Sequence, residues 1–320
     1  MPLMKIGIDI MGGDYAPNEI VLGVIQALSE LPADTRLVLF GDEVAIRDLF
    51  SREGHDVSVV DIVHTTQVIG MEEHATRAIP AKPDSSIARG FEYLKAGKID
   101  AFAGAGNSGA MMVGAMFSVK TIPGIQRPAI CSVVPKEDGS WGVFLDAGAN
   151  ADCKPEHLQQ FAILGSLFLE HVYGVPKPKV GLMNIGEEEE KGNMVSIAAH
   201  QLLKNTREIN FIGNIEGRDL FNDKADVIVC DGFTGNVILK LAESFYSLIR
   251  RRKIKDEYFD RFNFEIYGGT PVLGVNAPVI IAHGISNAKA IKNMIHITRK
   301  VTAAGLTEKI TQAVHESISN

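Results

Sequence analysis

Hydrophobic residues along the chain alternate between short β-branched runs and longer segments with apolar positions at helical spacing. The pattern predicts strands at 5–10, 37–40 and 57–63, and helices at 18–31 and 43–52. Strands that alternate with helices in this way are typical of a parallel sheet covered on both faces. The first third of the chain therefore predicts an α/β fold.

The same alternation continues to the end of the chain. Further strands are predicted at 99–103, 179–184, 226–230 and 278–282, and a long helix closes the sequence. Two more strands, at 129–134 and 141–145, flank the polar turn PKEDGS and are predicted to form a hairpin. The connection at 64–85 is long for a compact domain, and such segments are usually functional lids or binding loops.

The stretch IDAFAGAGNSGAMMVGAMF at 99–117 predicts a strand, a glycine loop and the start of a helix. Glycine lets the backbone approach a ligand, and a helix N-terminus favours an anion. The candidate anion-binding residues here are Gly106, Asn107, Ser108 and Gly109. GAGNSG also matches the dinucleotide fingerprint, but 110–136 lacks the acidic residue that would bind the ribose. We call such a strand end, glycine turn and helix start a corner. The alternative to ligand binding is that this corner only lets the helix pack on the strand.

Other predicted strands also end in polar residues, and parallel strands place such residues at one edge of a sheet. The candidate substrate-binding residues at these ends are Asp9, Gly12, Gly13, Asp14, Asp146, Asn150, Asn184, Glu187, Asp231, Gly235 and Lys240. Lys191 and Asn236 lie among them, and His283 follows the last strand, where it is well placed for acid–base chemistry.

Two of these groups have simpler interpretations. Asp146, Asn150 and Asp152 suit Mg²⁺, but turn and cap chemistry explains them as well. Asp14 is also placed to act as a helix cap or a turn residue.

Composition excludes several classes of protein. The net charge of -7 over 320 residues argues against a general nucleic-acid binder. No apolar run is long enough to span a membrane, and the N-terminus lacks a signal-peptide pattern. The cysteines Cys131, Cys153 and Cys230 show no paired spacing. We expect a soluble cytoplasmic protein with reduced cysteines.

A basic cluster stands out against the negative net charge. It consists of Arg250, Arg251, Arg252 and Lys253. Such a patch suits an acidic partner or an anionic lipid surface, and it equally suits the negative pole of a helix end.

The corners support a specific kind of chemistry. The chain has no Walker A sequence, no G-x-S-x-G elbow and no H-E-x-x-H pair. Backbone amides at the corners would instead hold an oxyanion that acts as the nucleophile, and further donors would stabilise a tetrahedral intermediate.

Nine stretches carry a resemblance to a known family. They are DIMGGDYAP (9–17), GAGNSGA (104–110), RPA (127–129), DAGAN (146–150), NIGEEEEKG (184–192), NIEGRD (214–219), DGFTGNVILK (231–240), YGG (267–269) and HGIS (283–286). In this order they closely resemble the acyl-carrier-protein:phosphate acyltransferases of bacterial phospholipid synthesis, over nearly the whole chain.

The resemblance implies conversion of acyl-[acyl carrier protein] and inorganic phosphate into acyl phosphate, which feeds glycerol 3-phosphate acylation by a downstream acyltransferase at the membrane. It implies a three-layer α/β/α sandwich with a mostly parallel central sheet, like those of phosphotransacetylases and isopropylmalate dehydrogenases. It also implies a homodimer, no cofactor or metal, and peripheral association with the inner face of the cytoplasmic membrane. We expect one domain over residues 1–320, with a sub-lobe at about 120–260 that carries the dimer surface.

The resulting hypothesis assigns roles to particular residues. Phosphate would sit on corner amides with Lys191 and Lys240, held by Asn107 and Asn236, and would attack the thioester directly. Catalysis is assigned to Lys191, Asn236 and His283, of which His283 polarises the carbonyl or protonates the leaving thiolate. The acidic carrier would dock on residues 250–253.

Other functions stay open at this point. They are a transacylase that uses acyl-coenzyme A, a dehydrogenase on the same fold and a non-catalytic ligand sensor. The segment at 245–266 is shorter and more charged than the membrane-contacting helical excursion of the family.

Overall fold

The computed structural model describes residues 3–319, with side chains through residue 315. The strands are β1 (Met4–Asp9), β2 (Thr35–Gly41), β3 (Asp61–His64), β4 (Ala101–Gly104), β5 (Ala129–Ile130), β6 (Ser132–Pro135), β7 (Trp141–Leu145), β8 (Lys179–Met183), β9 (Asn210–Ile215), β10 (Val227–Val229), β11 (Thr270–Leu273) and β12 (Val279–Ile281). The α-helices are α1 (Asn18–Leu28), α2 (Glu43–Arg52), α3 (Ala75–Ala81), α4 (Ser86–Lys95), α5 (Ser108–Gly114), α6 (Pro155–Phe168), α7 (Met194–Lys204), α8 (Gly232–Arg251), α9 (Glu257–Asp260), α10 (Phe264–Tyr267), α11 (Ala288–Ala303) and α12 (Leu306–Ser319).

The chain divides into two compact units. The first contains residues 3–121 and 264–307, and the second contains residues 122–263 and 308–319. Each unit has its own mostly parallel sheet and its own helices. The predicted α/β/α class with mostly parallel strands is confirmed, although the strands are divided between two sheets. The predicted single domain with a sub-lobe stays a prediction.

The sheet of the first unit places its strands in the order β3-β2-β1-β4-β12-β11. All neighbours are parallel except β11, which runs antiparallel to β12. Phe40, Phe91 and Phe102 pack edge to face at its centre, with ring centroids 5.1–5.7 Å apart. A Cβ on Gly90 would lie only 2.2 Å from the Phe102 ring, so α4 approaches the sheet closely only because this residue is glycine.

The sheet of the second unit has the order β6-β7-β10-β8-β9. The predicted hairpin is confirmed, because β6 pairs antiparallel with β7 and the other neighbours are parallel. A buried ion pair joins Lys136 to Asp226 at 2.6 Å, and the second Asp226 oxygen accepts from the Lys179 amide. These bonds satisfy a buried charge that would otherwise be costly.

Three sequence predictions are corrected. The strand predicted at 57–63 begins as a 3₁₀ turn, because the Asp56 carboxylate accepts from the Ser58 amide at 2.9 Å and the strand starts only at Asp61. The connection at 64–85 contains α3, whose pattern is obscured by Pro80 in its last turn. The closing helix is two helices, because Gly305 between them adopts a φ of +59°.

The parallel strands matter for function because they place the predicted glycine corners at their carboxyl ends. β1, β4 and β12 supply these ends in the first unit, and β7, β8 and β10 supply them in the second. Within residues 3–319, no helix is long and apolar enough to cross a membrane.

Candidate active site

The corner of the first unit is built around a buried carboxylate at the end of β1. Asp9 has no solvent exposure, and its Oδ1 accepts from the Met11 amide at 3.0 Å. A Cβ on Gly12 would lie 2.2 Å from Asp9 Oδ2, and one on Gly106 would lie 2.9 Å from it. Burial raises the pKa of Asp9 to about 6, while the Ser86 side chain and the nearby amides act in the opposite direction. Both glycines are therefore required by the carboxylate.

The turn after β1 meets the loop after β12. Gly13 adopts a φ of +111°, and the Asp14 amide donates to the Gly284 carbonyl at 2.8 Å. His283, one residue earlier, is half-buried with its ring edge against Phe264 at a centroid distance of 5.0 Å. The structure thus brings the predicted residues Asp14 and His283 onto adjoining loops of one sheet edge.

Asn107 caps a helix and anchors a loop, and neither role was predicted from the sequence. Its Oδ1 caps α5 by accepting from the Ala110 amide at 2.9 Å. Its Nδ2 lies 2.8–3.1 Å from the carbonyl oxygens of Gly70, Met71 and Glu73. The side chain therefore anchors the connection at 64–85, and these carbonyls occupy the donors that phosphate would need. Contact of phosphate with Asn107, Ser108 or Gly109 stays a prediction.

The corner of the second unit is also built around a buried carboxylate, at the end of β7. Asp146 Oδ1 accepts from the amides of Ile130 and Ala149, and Oδ2 accepts from the amide and the side chain of Asn150 at 2.6 and 2.9 Å. Burial raises the pKa of Asp146 despite these bonds. Asp152 is exposed, so turn chemistry explains this cluster. Among the residues that the structure describes, no group of three acidic, histidine or cysteine side chains could hold a metal ion.

The first turn of α8, which follows the neighbouring strand β10, supplies the glycines for this corner. A Cβ on Gly232 would lie 2.7 Å from Asp146 Oδ2, and one on Gly235 would lie 1.9 Å from the Asp146 carbonyl oxygen. Asp231 caps α8 by accepting from the amide and hydroxyl of Thr234 at 2.8 and 2.9 Å. Asn236 is exposed and stands over Gly148, whose Cβ would lie 3.4 Å from it. α8 therefore begins directly over the carboxylate turn.

The loop of four glutamates after β8 is ordered. Asn184 Nδ2 donates to the Lys191 carbonyl at 3.0 Å, and the Lys191 amide donates to the Glu188 carbonyl at 3.1 Å. The Lys191 side chain is exposed, and among the described residues no ion pair joins it to the glutamates. Glu187 instead pairs with Lys224 at 2.7 Å, which lowers the pKa of Glu187. The contact of Glu187 with substrate stays a prediction.

A second pair, Glu189 with Lys204 at 2.6 Å, ties the same loop to α7.

The remaining predicted residues lie further along α8. Lys240 Nζ pairs with Glu243 at 2.9 Å, one helical turn away. The basic cluster occupies the exposed C-terminal end of the helix, and Lys253 follows it with a φ of +57°. This position fits both a docking surface and a helix end that favours cations.

A cavity of about 790 Å³ lies beside the corner of the second unit. Asn184, Asp231 and Thr234 line it with polar atoms, and Phe233 and Ile238 line it with apolar side chains. α7 contributes Asn193, Val195 and Ser196 to the cavity, and the sequence analysis did not predict this helix. The sequence analysis did not predict the apolar wall either. The positions of Phe233 and Ile238 within DGFTGNVI were the signal that could have indicated it.

Comparison with known proteins identifies the family. A family model described as "Fatty acid synthesis protein" matches residues 4–309. The chain is 43% identical to the phosphate acyltransferase of Desulforamulus reducens over 337 residues, which cover 99% of this chain and 98% of that protein. It is 41% identical to the enzyme of the same name from Dictyoglomus turgidum, with 98% of each chain covered.

The chain belongs to the phosphate acyltransferase family. It is an acyltransferase, and the general reaction of the family is acyl transfer to phosphate.

Solved structures agree on the fold. A phosphotransacetylase from Streptococcus pyogenes superposes with a TM-score of 0.66 at 17% identity, with 94% of each chain covered. The EutD phosphotransacetylase from Staphylococcus aureus superposes with a TM-score of 0.63 at 17% identity, with 93% of this chain and 94% of that chain covered.

The buried Asp9 carboxyl generates a prediction about stability. Because its folded pKa of about 6 lies above the ordinary value of 3.8, the protonated form is favoured in the folded protein. The stability that this gives is present below pH 3.8 and is lost as pH rises through about 6. Asp9→Asn removes the ionisation, so its unfolding free energy should rise relative to wild type by on the order of 3 kcal/mol between acid and neutral pH.

Urea unfolding at several pH values measures this difference. Asp14→Asn removes an exposed carboxyl from the same turn and serves as the control. A stability difference between Asp9→Asn and wild type that does not change with pH would contradict the analysis.

Proposed function

We propose that this protein transfers a fatty acyl group from acyl-[acyl carrier protein] to inorganic phosphate, giving acyl phosphate and the free carrier. The observation that carries the proposal is the cavity of the second unit. Its polar side begins at the N-terminus of the 20-residue helix α8, where the helix dipole favours an anion. Its apolar wall, which includes Phe233 and Ile238, suits an acyl chain.

In the proposed reaction, phosphate held at the N-terminus of α8 and by Lys191 attacks the thioester carbonyl carbon directly. A carbon–oxygen bond to phosphate forms, the tetrahedral intermediate collapses, and the carbon–sulfur bond breaks. The departing thiolate takes a proton from a general acid or from water, and the role of His283 as that acid stays a prediction from the sequence. Asn236, which stands over the Asp146 turn, is the proposed donor to the developing oxyanion.

The cysteines of the cavity support direct attack rather than an acyl-enzyme. Cys153 and Cys230 both line the cavity. Burial raises the pKa of Cys153 to about 11 and raises that of Cys230 well above its ordinary value. Both therefore stay thiols at neutral pH, and the thiol is a poor nucleophile. The poor nucleophilicity of these two thiols supports phosphate as the attacking group.

The proposal extends to where the enzyme works. We expect a cytoplasmic protein that associates peripherally with the inner face of the membrane. Acyl phosphate is an activated acyl donor, so the next reaction is acyl transfer to glycerol 3-phosphate by a membrane acyltransferase.

A homodimer is also proposed, with its surface on α8. Phe233, Val237, Leu241, Phe245 and Leu248 are spaced three or four residues apart, and each is 46–68% exposed. A contiguous exposed apolar face of this length is typical of an interaction surface. Its position within the second unit agrees with the predicted dimer sub-lobe.

The acyl carrier is proposed to dock on residues 250–253, at the exposed end of the same helix. The carrier is acidic, and a basic patch on a negatively charged chain would steer it.

The first prediction concerns the catalytic residues. Lys191→Ala should lower kcat/KM for phosphate-dependent thiol release by roughly 100-fold, the loss that follows when one oxyanion-stabilising donor is removed. Asn236→Ala and His283→Gln should lower the same constant. Lys95→Ala, at the exposed end of α4, is the control and should match wild type. Activity of Lys191→Ala within twofold of wild type would exclude lysine from the reaction.

The second prediction concerns the dimer. Leu241→Glu places a charge in the middle of the apolar face and should convert a dimer into a monomer in sedimentation equilibrium. Ser247→Glu adds the same charge on another exposed side of α8 and should leave the dimer intact. A wild-type monomer at micromolar concentration would contradict this part of the proposal.

The third prediction concerns carrier docking. The Michaelis constant for the acyl carrier substrate should rise severalfold between about 0.05 and about 0.3 M salt, because screening weakens the attraction between exposed charges. The triple variant Arg250→Gln, Arg251→Gln and Arg252→Gln should abolish most of this dependence. Arg52→Gln with Lys95→Gln is the control. A constant that does not respond to salt would exclude this docking surface.

A further inference from the structure

His200 is a buried histidine outside every predicted site. It lies on α7 with 3% of its surface exposed, and its ring stands edge-on to Phe211 at a centroid distance of 5.1 Å. Its Nδ1 lies 2.9 Å from Oδ1 of Asn214, which is equally buried on β9. A buried polar pair of this kind needs a reason, because leaving either partner unsatisfied is costly.

The hydrogen bonds fix the direction of this pair. The Asn214 Nδ2 donates to the carbonyl oxygen of Glu188 at 2.8 Å. Its Oδ1 therefore faces His200, and an amide oxygen only accepts, so His200 donates from Nδ1. The pair is thus a directed connection from α7, through β9, to the backbone of the glutamate loop.

This chain of hydrogen bonds ends at the turn from Glu188 to Lys191. The Glu188 carbonyl that accepts from Asn214 also accepts from the Lys191 amide at 3.1 Å. The Lys191 carbonyl accepts from Asn184 Nδ2 at 3.0 Å. Both backbone polar groups of Lys191 are held, and one of them is held through Asn214 and His200.

The other ties of the loop are weaker in kind. The pairs Glu187–Lys224 and Glu189–Lys204 join carboxylates whose side chains are 54% and 51% exposed. Exposed ion pairs contribute little and are screened by salt. The buried bonds through Asn214 are therefore the ones that hold the loop in one place.

We propose that His200 is a positioning residue that fixes the backbone of Lys191 through Asn214 and the Glu188 carbonyl. This inference rests on the proposed function, because it is phosphate that Lys191 would meet. A lysine that is fixed in advance binds its anion without the entropic cost of ordering the loop.

The experiment compares four single variants and one double variant with wild type by hydrogen exchange of the Lys191 amide. His200→Leu removes the donor, and His200→Gln keeps one. Asn214→Ala breaks the same connection from the other side. Ser166→Ala removes a different buried hydrogen bond of the second unit, from Ser166 Oγ to the Ala162 carbonyl, and is the matched control.

The Lys191 amide should exchange about tenfold faster in His200→Leu and at least as fast in Asn214→Ala, the change expected when one hydrogen bond is lost. His200→Gln and Ser166→Ala should exchange like wild type. Combining His200→Leu with Asn214→Ala should add little to Asn214→Ala alone, because the other contact of His200 with the loop, from Nε2 to Glu189 Oε1, is 3.8 Å long and too long for a hydrogen bond. The KM for phosphate should rise about tenfold in His200→Leu with a smaller change in kcat, and His200→Gln should restore it.

The inference is wrong if the exchange rate of the Lys191 amide in His200→Leu is within twofold of the wild-type rate. It is also wrong if Ser166→Ala accelerates this exchange as much as His200→Leu does. If His200→Leu does not fold, Asn214→Ala decides by the same criterion. If wild-type protein releases no thiol with phosphate, the proposed function fails, and the exchange rates still decide the role of His200.

Discussion

Each unit of this protein is organised by one constraint, a carboxylate buried at the end of a central strand. Asp9 in the first unit and Asp146 in the second have no solvent exposure, and an ionised carboxylate is costly to bury. Backbone amides of the following turn donate to both, and glycines of the adjacent strand end leave room for them. The bonds order the turns, and the glycines bring a helix N-terminus close to each turn.

The chemistry of the second unit follows from this arrangement. Because Gly232 and Gly235 fit against Asp146, α8 starts at the wall of a cavity, where the positive end of its dipole favours an anion. The loop after β8 contributes Asn184 and Gly192 to the cavity lining, and Lys191, the residue before Gly192, is the proposed cation for phosphate. Hydrogen bonds with Asn184 and with the Glu188 carbonyl hold the backbone of Lys191. The proposed phosphate site therefore depends on the N-terminal end of α8 and on one lysine.

The corners could be predicted from the sequence because the carboxyl ends of parallel strands meet at one edge of a sheet. A glycine and a polar residue directly after a predicted strand can be recognised in a single sequence. Prediction failed where a partner lies far away in sequence. Asn107 looked like a ligand contact, but its bonds go to carbonyls 34–37 residues earlier. Glu187 was predicted to contact substrate, and the sequence did not reveal that its carboxylate pairs with Lys224, 37 residues later. The part of the cavity wall that α7 forms was not predicted, because the helix itself was not predicted.

The most direct test of the account is the identity of the product formed by wild-type protein. Palmitoyl-[acyl carrier protein] is incubated with and without inorganic phosphate, thiol release is followed, and hydroxylamine traps any acyl phosphate as a hydroxamate. The account predicts thiol release that depends on phosphate, with a matching amount of hydroxamate. Release from palmitoyl-coenzyme A but not from the carrier would contradict the proposed donor. Release without phosphate, or no release from either thioester, would contradict direct attack by phosphate.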